Sequence, residues 1–231
     1  MKKTVLVLSC EHASEYIPEN IFDKMRSPPA FNTFQTFDPY AKELTKSIAN
    51  TLKCDYFLGD ISRFILDLNK KNAYSFSKWS RQHFSAQDKH DLLEKYYQPY
   101  RQKLTQNIEK HIENGCQILH LSVHTFNNES RYLDDNAAIG LLYNPNRHGE
   151  KEVARIWNEL LIKRTPYRVR LNFPRSGRHN NLTSALRKDY PESDYLGLEI
   201  EANISLLNDP VSYDEFCEAL IHSIYTLIEM I

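Results

Sequence analysis

Thr4–Ser14 reads TVLVLSCEHAS. An apolar, β-branched run stops abruptly at Glu11 and His12 and passes into small residues. Such a run is a buried strand, and an open α/β sheet collects its chemistry at the carboxyl ends of its strands. A second run, Ile118–Val123, ends in the same way and delivers His124. Two strands that each end in a histidine predict a metal site built from distant parts of the chain.

The rest of the chain supplies the layers around such strands. Strand-like segments are expected at Asp55–Leu58, Phe64–Leu68, Gln117–Val123, Ala137–Tyr143, Tyr167–Asn172 and Leu196–Ala202. Helical periodicity marks Pro39–Leu52, Gln87–Asn114, Glu150–Lys163, Asn180–Arg187 and Tyr213–Ile231. Asp38 is a candidate N-cap of the first helix, and Pro99 is expected to kink or break the second. Gly115 is placed to end it, and Asn69–Ser85 reads as a loop. Alternating β and α units predict an α/β fold, one three-layer α/β/α domain with a mostly parallel or mixed sheet. No linker-like stretch divides residues 1–231.

Composition narrows the function. The formal net charge of −1 over 231 residues gives no basic surface for nucleic acid. No apolar run reaches the ~20 residues that span a bilayer. The start, MKK before an apolar stretch, is too short for a secretion signal and is interrupted by Cys10-Glu11-His12. The four cysteines form no CxxC pair and read as free thiols in a reducing cytoplasm. Cys10 reads as a small buried residue ending a strand.

Four segments carry candidate chemistry. His12 and His124 are candidate metal ligands, with Glu11, Glu15 or Asp38 as the third. Ser62–Lys70, SRFILDLNK, offers Arg63, Asn69 and Lys70 to a substrate carboxylate. Asn172–Arg187 places Arg175, Arg178 and His179 around Gly177, an anion-binding loop ahead of a helix N-terminus. In GLEIEAN, Glu199 and Glu201 share one face of a strand, and one of them is a candidate general base. A half-exposed edge strand with an acidic outer face is the competing reading of that segment.

As an ordered set, SCEHAS-EYIP, FDPYAKEL, SRFILDLNK, YYQPYR, HTF with Arg131 and GLLY behind it, and NFPRSGR, LTSALR and YLGLEIEAN resemble the N-formylglutamate amidohydrolase family. That family is similar in fold to zinc carboxypeptidases and aspartoacylases. The resemblance implies a hydrolase-like three-layer fold, a bound zinc or other divalent ion, and cleavage of an N-acyl amino acid. It implies His12, Asp38 and His124 as metal ligands and Glu199 as base. It implies Asn69 and Lys70, with Arg63 and Arg178, as substrate contacts. Two positions depart from the pattern: Lys70 and Glu201 stand where arginine is usual. Lysine cannot make the two-pronged carboxylate contact of arginine. These departures motivate an alternative, a binding or regulatory protein on the same fold. A hydrolase for another bond, with Trp79 closing over a larger substrate, is a further option.

Overall fold

β1 (Thr4–Cys10) alternates between two faces, and this alternation organises the whole molecule. The computed structural model describes residues 2–25, 33–127, 137–178 and 181–231. Leu6 and Leu8 enter one apolar core, while Val7 enters another on the opposite face. β2 (Asp55–Leu58), β3 (Gln117–Phe126), β4 (Ala137–Leu142), β5 (Arg168–Leu171) and β6 (Tyr195–Asn203) complete the sheet. Its order is β2-β1-β3-β6-β4-β5. All neighbours run parallel except β4 and β6, so the sheet is mixed.

Two short helices, α1 (Glu19–Phe22) and α2 (Thr33–Thr36), follow β1, and one face is covered by α3 (Ala41–Leu52), α7 (His148–Arg164) and α9 (Pro210–Met230). Leu119, Leu121 and Val123 of β3 and Leu198 and Ile200 of β6 pack beneath them. Trp157 of α7 is fully buried, and its indole N–H donates to Ser223 Oγ at 2.9 Å. The other face carries α5 (Ala86–Leu92), α6 (Gln98–Glu113) and α8 (Leu182–Asp189). There the strands are apolar only at their beginnings, with Ile118 and Tyr195. Toward their carboxyl ends the same rows turn polar: Ser122 and His124 on β3, Glu199 and Glu201 on β6. Ser122 lies beside Glu199 and His124 beside Glu201 in the register. A row that starts greasy and ends ionisable is a core that opens into a site.

Three expectations need correction. Phe64–Leu68 is not a strand. Its residues turn back on Ser62, whose carbonyl accepts from Ile65 and Leu66, and only Leu66 forms a bridge, to Phe76. Ile65, Leu66 and Leu68 are apolar because the segment is a buried loop that plugs the α5–α6 core. Asn69–Ser85 is not all loop: it contains a 3₁₀ turn at Asn72–Tyr74 and a helix, α4 (Lys78–His83), capped by Ser77. The α-helical run is interrupted just before Pro99, as the sequence predicts. A π-helical turn, Leu93–Tyr97, precedes it, and Pro99 falls in the first turn of α6, where a missing N–H costs nothing. Asp38 does not cap α3; Tyr40 holds that position with left-handed backbone and no side-chain cap. β6 is internal to the sheet and buried throughout, which removes the edge-strand reading. Arg131, His179 and Asn180 lie outside the described residues.

Candidate active site

β1 ends at Cys10, and the turn that follows carries both Glu11 and His12 to the site. Strand alternation would have sent them to opposite faces; the turn cancels it. The turn is packed against Gly59, where any Cβ would overlap the Glu11 carbonyl. Asp38 reaches the same point from the loop before α3, with its backbone N–H donating to the His12 carbonyl at 2.9 Å. His124 comes from the end of β3. All three side chains are buried.

Their polar atoms converge. Asp38 Oδ2 lies 3.2 Å from His12 Nδ1 and 2.8 Å from His124 Nδ1. The two rings are 4.9 Å apart between centroids. One ligand atom from each of the three lies within 4.8 Å of the others. Arg63 Nη1 bridges the edge of the cluster, 2.6 Å from Asp38 Oδ1 and 3.0 Å from His12 Nδ1. The outer ring nitrogens are occupied too. His12 Nε2 lies 2.8 Å from Asp67 Oδ1, and His124 Nε2 lies 3.1 Å from Glu11 Oε2.

The charges follow from these contacts. Burial alone would raise the Asp38 carboxyl, but His12, Arg63 and the His124 bond outweigh it and hold it well below the usual carboxylate range. Asp67 is lowered in the same way: burial opposes, while His12, Lys70 and Arg63 prevail. Burial favours neutral His124, yet its bonds to Asp38 and Glu11 raise it well above an ordinary imidazole. Cys10 is a buried thiol raised well above its usual range by burial, Asp38 and Glu11, which makes it a poor nucleophile.

β6 forms the adjoining wall. Glu199 is fully buried. Its Oε1 accepts from Asn181 Nδ2 in a very short contact and from Thr183 Oγ1 at 3.0 Å. Its Oε2 is buried with no hydrogen-bond partner among the described residues. Arg175 Nη2 lies 3.8 Å from that oxygen and 2.6 Å from Glu201 Oε1. Burial raises the Glu201 carboxyl, and Arg175 opposes the rise. The loop bearing Arg175 is seated by Gly177, where a Cβ would overlap the backbone of Tyr143. Asn172 Oδ1 accepts from both Gly177 N–H and Tyr143 N–H.

A cavity of about 740 Å³ opens over these groups. His12, Arg63, Asp67, Lys70, Arg175 and Trp79 are among the residues that line it, as is Asn69. Lys70 is anchored through its carbonyl, which accepts from Tyr97 Oη and Arg101 Nη2, each at 2.9 Å. Asn69 is engaged within the protein: its Oδ1 accepts from Leu182 N–H at 2.8 Å, and its Nδ2 lies 3.2 Å from His124 Nε2.

The structure thus brings together His12, Asp38, His124, Arg63, Asn69 and Lys70, with Glu199 on β6 beside them. Arg178 is exposed and does not line the cavity; Arg175 does. Glu15 is exposed and outside the three-residue cluster. Asp67, which meets His12, has no role assigned from the sequence, and Arg175, expected in an anion-binding loop, is instead paired with Glu201 of β6. Asp67 had a signal, a carboxylate closing an apolar run two residues before Asn69.

The sequence model of the N-formylglutamate amidohydrolase family matches residues 4–207. The chain belongs to the N-formylglutamate amidohydrolase family. A gene product of Agrobacterium tumefaciens has a similar structure, with a TM-score of 0.81 at 16% identity, over 99% of this chain and 91% of that one. An N-formylglutamate amidohydrolase from Ralstonia eutropha superposes with a TM-score of 0.73 at 14% identity, over 97% of this chain and 93% of that one. At such identities these two structures establish the shared fold. No curated protein matches the chain significantly in sequence. Among the described residues no helix is long and apolar enough to cross a membrane.

Proposed function

We propose that this member of the N-formylglutamate amidohydrolase family is a metal-dependent hydrolase of the amide bond in a small N-acyl amino acid, N-formylglutamate-like in character. The observation that carries this reading is the convergence of His12, Asp38 and His124 next to a buried Glu199 with one unbonded oxygen. Two imidazoles and a carboxylate are a donor set suited to zinc, and three protein ligands leave a coordination position open. The fit rests on this chain's geometry: the Nδ1 atoms of both histidines already face Asp38 Oδ2. When bound there, zinc or another divalent cation supplies Lewis acidity and lowers the pKa of water from about 15.7 to about 7.

The chain's own residues do the rest. Asn181 and Thr183 fix one oxygen of Glu199, leaving Oε2 to take a proton from the attacking water. The water oxygen bonds to the acyl carbon, the C–N bond breaks, and Glu199 passes the proton to the departing amine nitrogen. Arg63, beside Asp38 and His12, stabilises negative charge on the acyl oxygen. Lys70 and Arg175 offer cations to the carboxylate of the substrate. Arg178, at the surface, leaves that role to Arg175. The pairing of Glu201 with Arg175 gives the inverted charge a partner. Four free thiols fit a reducing cytoplasm as its location.

The test is amine release from N-formyl-L-glutamate and a panel of N-acyl amino acids, before and after chelation and after zinc is restored. Turnover that chelation abolishes and zinc restores is expected. Undiminished turnover by metal-free protein, or none across the panel, contradicts the proposal.

A further inference from the structure

Glu11 is a fully buried carboxylate that the hydrolytic scheme leaves unused. It lies outside the cluster of His12, Asp38 and His124, yet it touches one member. Its Oε1 accepts from Tyr100 Oη at 3.0 Å. Its Oε2 accepts from Ser122 Oγ at 2.6 Å and lies 3.1 Å from His124 Nε2. On the other side of the ring, His124 Nδ1 faces Asp38 Oδ2.

A histidine that ligates a metal through one nitrogen commonly donates its other N–H to a carboxylate, which fixes tautomer and ring orientation. The surroundings of His124 Nε2 fit a donor. Ser122 spends its proton on Glu11, so its oxygen, 2.9 Å from Nε2, is an acceptor there. Glu11 Oε2 is a second acceptor. Asn69 Nδ2, at 3.2 Å, is the competing contact, because an amide donor would call for a bare Nε2. Two acceptors, one of them ionic, stand against one neutral donor at the longest distance.

We propose that Glu11 is a positioning residue that, with a metal bound, holds the His124 proton at Nε2 and so leaves the Nδ1 lone pair to the metal on the Asp38 side. Glu11 is then the outer carboxylate behind His124 and not a third ligand. The inference rests on the metal site proposed above.

Zinc titration by calorimetry at one fixed pH tests it, with the wild type, Glu11→Gln and Tyr100→Phe. The glutamine amide carries no charge and has one oxygen to serve Tyr100, Ser122 and His124 together, so zinc affinity is expected to fall about 10- to 100-fold. Tyr100→Phe removes only the bond to Oε1, which does not face His124, and is expected to bind zinc like the wild type. Long-range ¹H–¹⁵N spectra of the zinc-loaded wild type need no variant and are expected to show His124 protonated at Nε2. Equal zinc affinity of wild type and Glu11→Gln overturns the inference, as does a proton on Nδ1 of zinc-loaded His124. Equal losses in both variants reduce Glu11 to a packing role and overturn it too. A wild type that binds no zinc overturns the metal site itself, and this inference with it.

Discussion

Glu199 and Glu201 are two residues apart on one strand face, yet their surroundings give them different tasks. Glu199 has one oxygen tied down and one unbonded; Glu201 is spent on Arg175. Glu199→Gln keeps an oxygen for Asn181 and Thr183 but cannot carry a proton. It is expected to lower kcat about 10²- to 10⁴-fold while zinc content and the unfolding midpoint stay unchanged. Steady-state kinetics beside metal analysis checks this. Arg175→Ala is expected to raise KM and also to destabilise the fold by about 1–3 kcal/mol, because it strands a buried carboxylate. Urea unfolding measures the second effect, and Arg175→Lys is expected to recover part of it. His12 and His124 were legible in the sequence because each ends an apolar run, where a polar side chain stands out. Asp38 was one of three open candidates for the third ligand, since no run of residues leads up to it. Which of Arg175 and Arg178 enters the cavity depends on the path of the loop, and composition carries no trace of that path.

The strands and long helices were readable from periodicity; the segments that wrap the cavity were not. Phe64–Leu68 has the composition of a strand, but its burial comes from filling the space above α5 and α6, with no neighbouring strand to pair with. Composition reports burial and does not report pairing. The Pro99 signal held: a π turn divides the long helical run, and the proline falls in the first turn of the helix that follows. The loop Asn172–Arg178 is set by backbone contact at Gly177. Gly177→Ala is therefore expected to cost about 1–3 kcal/mol through overpacking and to weaken substrate binding by displacing Arg175. Unfolding curves and KM together check this. A variant with wild-type stability and KM would mean that the loop position does not depend on this contact.

Across the molecule, one face of the sheet is a sealed apolar layer and the other opens into polar groups. Buried polar contacts run from Tyr195 through His120 and Ser9 toward Glu11, and from there to His124 and Asp38. His120 is buried and neutral: burial is the main cause that lowers its pKa from 6.5 to about 4. Below about pH 6.5 the unfolded chain takes up a proton that the native state refuses until about pH 4. Stability is thus complete above that window and falls as the pH drops through it, by an amount on the order of 3 kcal/mol from this group. Unfolding free energies of wild type and His120→Gln at pH 7 and pH 5 test the sign, because the carboxylates common to both cancel in the difference. The wild type is expected to lose more on acidification; parallel losses would contradict it.

The three-layer architecture was legible because alternating β and α units leave few other arrangements, whereas no local signal marks the antiparallel pairing of β4 with β6. What joins fold and chemistry is the meeting of His12, Asp38 and His124 at the polar end of the open face. Anomalous diffraction at the zinc edge from zinc-soaked crystals tests that meeting most directly. A single strong peak bonded to one atom of each of the three residues is the expected result. A peak elsewhere, or none beside His12 and His124, would contradict the account.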